Sequence, residues 1–215
     1  KVDWKENGKM LRTSFNTNVY TREADCEIQF GTIKRPTHGN TSWDMAKGEI
    51  CAQRWIDLSQ RDYGVALIND SKYGHNVSET KIDLNLLRSP GYPDPNADRG
   101  EHEFTYCLFP HRGDYIEGNV VHEAHEVNAP IQVIYSEKLG ENLVKEAMVS
   151  IDCENVIIDT IKKAEDGDQM IIRLYECHGE DAKAKVNINI PYEKVEMVNL
   201  IEDSIEGKEL NKETM

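Results

Sequence analysis

The sequence predicts an all-β protein built as two successive antiparallel β domains with one short helix between them. Three observations predict it. Short segments alternate apolar and polar residues at strand period along most of the chain, as in residues 81–88, where Ile82, Leu84 and Leu86 alternate with Asp83 and Asn85. Clusters of Gly, Pro, Asn and Asp separate these segments, which is the punctuation of strands joined by turns. Only one stretch carries a helical period: Ile116, Val120, Val121, Ala124 and Val127 form an apolar stripe, weakened at its start by Gly118 and stopped by Pro130.

Taken in order, residues 1–18 are charged and lead into a strand near Phe15. Residues 26–31 alternate as a short strand, and residues 34–44 are rich in turn formers and read as a loop. Residues 49–58 alternate as one strand, with Ile50, Ala52, Arg54 and Ile56 on one face and Cys51, Gln53 and Trp55 on the other. Residues 63–69 are nearly all apolar, as expected of a central strand buried on both faces, and residues 70–75 form a polar loop. The strand over 81–88 and a more apolar one over 103–110 flank a loop holding Pro90, Pro93 and Pro95, too long for a tight hairpin and stiffened by its prolines. After Pro130 four further strands follow, over 148–152, 156–163, 169–176 and 182–190, with Glu165-Asp166-Gly167-Asp168 as a turn between the second and third. The first domain is therefore assigned to residues 1–135 and the second to residues 136–215, with a charged, frayed tail after Glu202.

A formal net charge of -14 without a basic block argues against nucleic acid and against an anionic membrane as partners. The five cysteines are odd in number, contain no Cys-x-x-Cys and lie mostly in apolar contexts, so they read as buried free thiols of a reducing, cytoplasmic compartment. Of the motifs that carry chemistry, most fail on spacing. Asp94-Pro95-Asn96-Ala97-Asp98 begins like a calcium loop, but Arg99 stands where the sharp turn needs Gly and Thr105 where Glu closes the site. His122-Glu123-Ala124-His125 is one residue short of His-Glu-x-x-His and reads as a solvated helix face. His38 near Ser42 and Asp44 lacks a nucleophile elbow, and Glu101 with Glu103 fits a solvated sheet edge as well as a carboxylate pair. Trp43 and Trp55 read as core or loop anchors.

Several runs, in one consistent order, resemble the C-terminal part of glycoside hydrolase family 38, the α-mannosidases, in its cytosolic and bacterial subgroup. They are the runs from Ile28 to Asp44 (with Arg35-Pro36-Thr37-His38-Gly39-Asn40-Thr41-Ser42-Trp43-Asp44), from Asp62 to Gly74, from Leu87-Arg88-Ser89-Pro90 through Asp98-Arg99-Gly100-Glu101-His102 to Tyr106, from Lys162 to Asp168, and Ile172-Arg173-Leu174-Tyr175-Glu176. The resemblance implies part of a galactose-mutarotase-like supersandwich, then a small antiparallel β-sandwich. It implies that the chain is the C-terminal piece of a retaining exo-α-mannosidase acting on terminal α-D-mannosyl residues. The catalytic carboxylates and zinc would sit on a missing N-terminal catalytic domain, so this piece is expected to hold no metal and to be inactive alone. By order along the chain, Asp98-Arg99-Gly100 resembles the family's Asn-Arg-Gly stretch, whose arginine faces the sugar site. Arg99, with Asp98 and His102 beside it, is thereby assigned to substrate binding, with mannosides as the carbohydrate partner. Uncovered sheet edges predict self-association into a homo-oligomer. The alternative is a stand-alone β-sandwich module for carbohydrate binding or assembly.

Overall fold

The computed structural model describes residues 1–135 and 147–210, and contacts divide the chain into one unit of residues 1–132 and another from Val133 onward. The first unit opens with β1 (Val2–Trp4), which the charged composition of residues 1–18 concealed, and β2 (Leu11–Asn16), which holds Phe15 of the expected strand and begins before it. β3 (Glu23–Ile28) turns through Gln29 and Phe30 into β4 (Gly31–Pro36), so part of the expected loop is a strand. Another part is a one-turn helix, α1 (Ser42–Met45), set by a capping box: the Asp44 amide donates to the Thr41 hydroxyl at 3.1 Å and the Thr41 amide to the Asp44 carboxylate at 3.2 Å. The expectation of one helix is thus short by one.

The strand expected over residues 49–58 is two strands in two sheets, β5 (Ile50–Cys51) and β6 (Trp55–Ser59). Between them the chain changes layer, with the Ala52 amide on the Tyr73 carbonyl at 3.1 Å and the Gln53 amide on the Glu27 carbonyl at 3.0 Å. β5 leaves Cys51 exposed while β6 is buried on both faces, yet the residue alternation runs on through both, which is why period alone could not locate the break. β7 (Gly64–Asn69) is buried along its whole length, as six mostly apolar residues require. β8 (Gly74–Ser78) takes His75 out of the expected polar loop and buries it fully. β9 (Lys81–Leu87) follows, then β10 (Gly100–His102) and β11 (Tyr106–His111), which begins three residues later than expected. α2 (Val120–Asn128) starts after the first residue of its apolar stripe, because Gly118 and Asn119 form a turn in which Asn119 takes a φ of 54°.

Two antiparallel sheets face each other, one ordered β11-β7-β6-β3-β4 and one ordered β2-β9-β8-β5, with β1-β10 a separate ribbon. Between them Ala24, Cys26, Ile56, Leu58, Val65 and Leu67 meet Ile82, Leu84 and Leu86. Each large apolar side chain buried there contributes roughly 1.5–3 kcal/mol. The opposite face of the five-stranded sheet is covered by α2 through Val120, Val121 and Ala124, and by Tyr115, whose ring stacks on Trp55 at 5.1 Å. Trp55 is the anchor its sequence context suggested; Trp43 is not, being 80% exposed. Cys26 is buried, which drives its thiol up to about 12; of the five thiols only Cys26 and Cys177 are buried, Cys107 and Cys153 are half-buried and Cys51 is exposed, so burial of most of them is not observed.

The second unit contains β12 (Val149–Ile151), β13 (Val156–Lys163), β14 (Met170–Glu176), β15 (Val186–Ile188), β16 (Val195–Val198) and β17 (Ser204–Leu210). These pair as three antiparallel ribbons, β12-β15, β13-β14 and β16-β17. The β13–β14 turn closes through the Ala164 amide on the Gln169 carbonyl at 2.9 Å, with Gly167 at a φ of 120° that only glycine adopts readily. Val149, Val156, Ile157 and Cys177 are its buried apolar residues among those described. The tail expected to fray after Glu202 is instead strand β17 as far as Leu210; residues 211–215, and residues 136–146 immediately after the expected boundary at 135/136, lie outside the described residues.

Candidate functional site

The loop between β9 and β10 is closed by its own aspartate. The Asp98 carboxylate, at the far end, accepts the backbone amides of Arg88 at 2.9 Å and Ser89 at 2.8 Å, at the near end. Those amides, Ser89 first, hold the carboxyl below its ordinary range, with His102 and Lys72 adding favourable charge. Ser89 is 1% exposed and takes a φ of 48°. Its carbonyl accepts the Gly8 amide at 2.9 Å and its hydroxyl accepts the indole N–H of Trp4. Trp4 in turn pairs in strand register with Gly100, so the first residues of the chain grip both ends of the loop. The carbonyl of Asp98 accepts from Nε2 of His102 at 2.9 Å, which assigns the proton of that imidazole to Nε2.

Arg99 sits between two residues of positive φ, Asp98 at 60° and Gly100 at 121°. Its amide donates to the Asn96 carbonyl at 3.1 Å. Its side chain is exposed and has no hydrogen-bond or ion-pair partner among the described residues. No Arg99–Asp98 salt bridge is formed: the Arg99 side chain has no ion-pair partner among the described residues, and Oδ2 of Asp98 accepts two backbone amides instead. Of the three residues assigned from the sequence, Asp98 and His102 are therefore joined to each other as scaffold, and Arg99 alone is presented outward.

The loop after β7 buttresses the next segment. The Thr105 amide donates to the Asp70 carboxylate at 2.8 Å and the Asp70 amide to the Thr105 carbonyl at 3.2 Å. The Lys72 ammonium lies 5.1 Å from the centre of the Phe104 ring, a cation–π contact. Ser89, Trp4 and Lys72 were not identified from the sequence. Trp4 carried no strand signal, and nothing local marks a serine whose partners are 85 and 81 residues away. Chemically the arrangement is an exposed guanidinium on a backbone tied down on both sides, with Lys72 and His102 around Asp98 in an otherwise acidic chain, suited to donating hydrogen bonds to hydroxyls or to a carboxylate.

The other motifs do not assemble. The Asp44 carboxylate is taken up by the Thr41 cap, and His38 Nδ1 stands 3.7 Å from it. His125 Nδ1 accepts from the Arg54 guanidinium at 3.1 Å, which occupies one of the two nitrogens that could bind a metal. Asp94 caps its own turn, accepting the Asn96 amide at 2.8 Å. Glu103 pairs with Lys1 at 3.0 Å, and Glu101 lies opposite Asp3. Among the described residues no group of three or more His, Cys, Asp and Glu side chains is placed to hold a metal ion, and no helix is long and apolar enough to cross a membrane.

Two family models match the chain. The glycosyl hydrolases family 38 C-terminal domain matches residues 1–96, and the family 38 C-terminal beta sandwich domain matches residues 155–214. Alpha-mannosidase 2C1 of Mus musculus is 40% identical over 205 residues, covering 94% of this chain and 20% of that protein. Alpha-mannosidase G of Dictyostelium discoideum is 42% identical, covering 83% of this chain and 17% of that protein. The alpha-mannosidase of Saccharomyces cerevisiae is 36% identical, covering 93% and 20%. The chain thus spans about a fifth of the length of these curated relatives. A solved glycosyl hydrolase family 38 protein from Enterococcus faecalis superposes with a TM-score of 0.77 over 93% of this chain and 24% of that one; at 14% identity this likeness speaks to fold alone.

Proposed function

Since this chain belongs to glycoside hydrolase family 38, as part of its C-terminal β region, we propose that it serves a retaining exo-α-mannosidase that removes terminal α-D-mannosyl residues. The reaction needs two carboxylic groups flanking the scissile bond, a nucleophile and an acid, and here also zinc. We assign all three to a catalytic domain outside these 215 residues. The role of this chain is to pack against that domain and to present Arg99 to the sugar. Five unpaired cysteines support a reducing, cytoplasmic setting.

The observation that carries the substrate role is the Arg99 guanidinium: exposed, without a partner among the described residues, on a loop whose carboxylate is otherwise engaged. A charge-assisted hydrogen bond from it is worth roughly 1.5–3 kcal/mol. Arg99→Ala in the full-length enzyme is expected to lower kcat/KM about ten- to a hundredfold with an unchanged melting temperature. Unchanged kinetics sink the substrate role, and equal loss of fold and activity makes the arginine structural. The 215-residue chain alone is expected to give no mannoside hydrolysis; turnover on adding zinc would show the chemistry to lie within it.

A further inference from the structure

We infer that Asp98 is a positioning residue for Arg99, and that with Ser89 and Trp4 it forms a brace fixing where that guanidinium points. The inference rests on the reading of Arg99 above and changes the role of its neighbours. A substrate-binding carboxylate needs free lone pairs directed outward. Asp98 instead spends Oδ2 on two backbone amides at 2.8 and 2.9 Å and its carbonyl on His102 at 2.9 Å. What it accomplishes is closure: the residue immediately before Arg99 is tied to the first residues of the loop, ten and nine positions back.

The tie is itself anchored. Ser89 is almost wholly buried and holds three contacts: its amide on Asp98, its carbonyl on Gly8 and its hydroxyl on Trp4. The backbone of Trp4 lies opposite Gly100, the residue immediately after Arg99. Arg99 is therefore held on both sides by the same assembly, with Asp98 before it in the left-handed backbone region at a φ of 60° and Gly100 after it at a φ of 121° that glycine adopts without strain. A fixed backbone matters because a displacement of about 1 Å in a positioning group can cost on the order of a hundredfold in rate. An acceptor is all the brace asks of residue 98, so an amide oxygen serves as well as a carboxylate.

The test is kinetic, on the full-length enzyme with an aryl α-mannoside, recording kcat, KM and melting temperature for Asp98→Ala, Asp98→Asn, Arg99→Ala and the double Asp98→Ala/Arg99→Ala. Asp98→Ala is expected to lose about ten- to a hundredfold in kcat/KM, as Arg99→Ala does, and the double to be no worse than Arg99→Ala alone. Asp98→Asn is expected to retain most of the activity. Trp4→Phe, which removes the indole N–H while keeping a smaller aromatic ring, serves if Asp98→Ala does not fold; its smaller loss is expected to vanish in the Arg99→Ala background. Multiplying losses in the double, or an Asp98→Asn as poor as Asp98→Ala, would give the carboxylate its own contact with substrate and overturn the brace. A fully active Asp98→Ala overturns it as well. A silent Arg99→Ala instead removes the reading of Arg99, leaving the brace nothing to position.

Discussion

The imidazole of His111 reaches across Gly64 to the carboxylate of Asp57, placing Nε2 2.8 Å from Oδ1. His111 lies on β11 and Asp57 on β6, and the strand between them, β7, offers a glycine at the crossing point. On the next strand Asp25 stands in register with Asp57, and its carboxylate pairs with Lys34 of β4 at 2.9 Å. A row of polar side chains from four of the five strands thus crosses the face that α2 covers, passing over the glycine of β7, while the opposite face is the apolar core.

A side chain at Gly64 has no room beside this ring. An added Cβ would lie 2.3 Å from Cε1 of His111 and 2.9 Å from Cβ of Ser59. Gly64→Ala is expected to destabilise the chain by about 1–3 kcal/mol, read as a fall in urea midpoint. Turning the imidazole away would give no relief, since it would leave Asp57 buried without its partner. An unchanged midpoint would show that the crossing is looser than the geometry requires.

Two histidines should bend the pH–stability curve in opposite senses. Burial alone would lower His111, but the hydrogen bond and charge of Asp57, with the Arg112 carbonyl and Asp114, more than offset it and raise the group above its ordinary value. Its contribution is full below the unfolded value and is lost as pH rises through the raised folded one. His75 is the reverse: burial lowers it from 6.5 to about 4, against weaker support from the Tyr73 carbonyl. With Nδ1 donating to that carbonyl, Nε2 is buried without a partner, and protonating it would place an unpaired charge in the interior. The stability that His75 contributes is full above about 6.5 and is lost as pH falls towards 4, a change of about 3 kcal/mol. Urea midpoints between pH 4.5 and 9 (about two units either side of a histidine's usual value) are expected to fall at both ends. His75→Gln should flatten the acid limb only, and His111→Gln the alkaline limb only.

Glu27 and Arg54 form the second polar contact under α2. Glu27 is 3% exposed, and its carboxylate accepts the Arg54 backbone amide at 2.7 Å and Nε at 3.0 Å. The same guanidinium reaches His125 of α2 at 3.1 Å, so the pair also holds the helix. Arg54→Ala is expected to cost about 3 kcal/mol, the lower end for breaking a buried pair, because 26% of the arginine side chain meets solvent. Glu27→Gln combined with Arg54→Met should cost less than Arg54→Ala alone, since no buried charge is then stranded. A double variant worse than the single would contradict this account.

Local physics was legible in the sequence by itself. The β13–β14 hairpin follows from two alternating runs and a glycine turn, and β7 from six mostly apolar residues in succession. The end of α2 follows from Pro130, and the membership of the family from runs of residue identity in order. Each of these depends on neighbours within one element. Tertiary structure alone decided the rest. Residues 50 to 58 obey one alternation, yet the layers on which β5 and β6 find partners divide them. Asp98 beside Arg99 looks like an ion pair in the sequence, but folding brings Arg88 and Ser89 back to it. Trp4 meets Ser89 across 85 positions, and His111 meets Asp57 across 54. Such pairs carry no local signature, because what selects them is the register of paired strands and the cost of leaving a buried polar group without a partner.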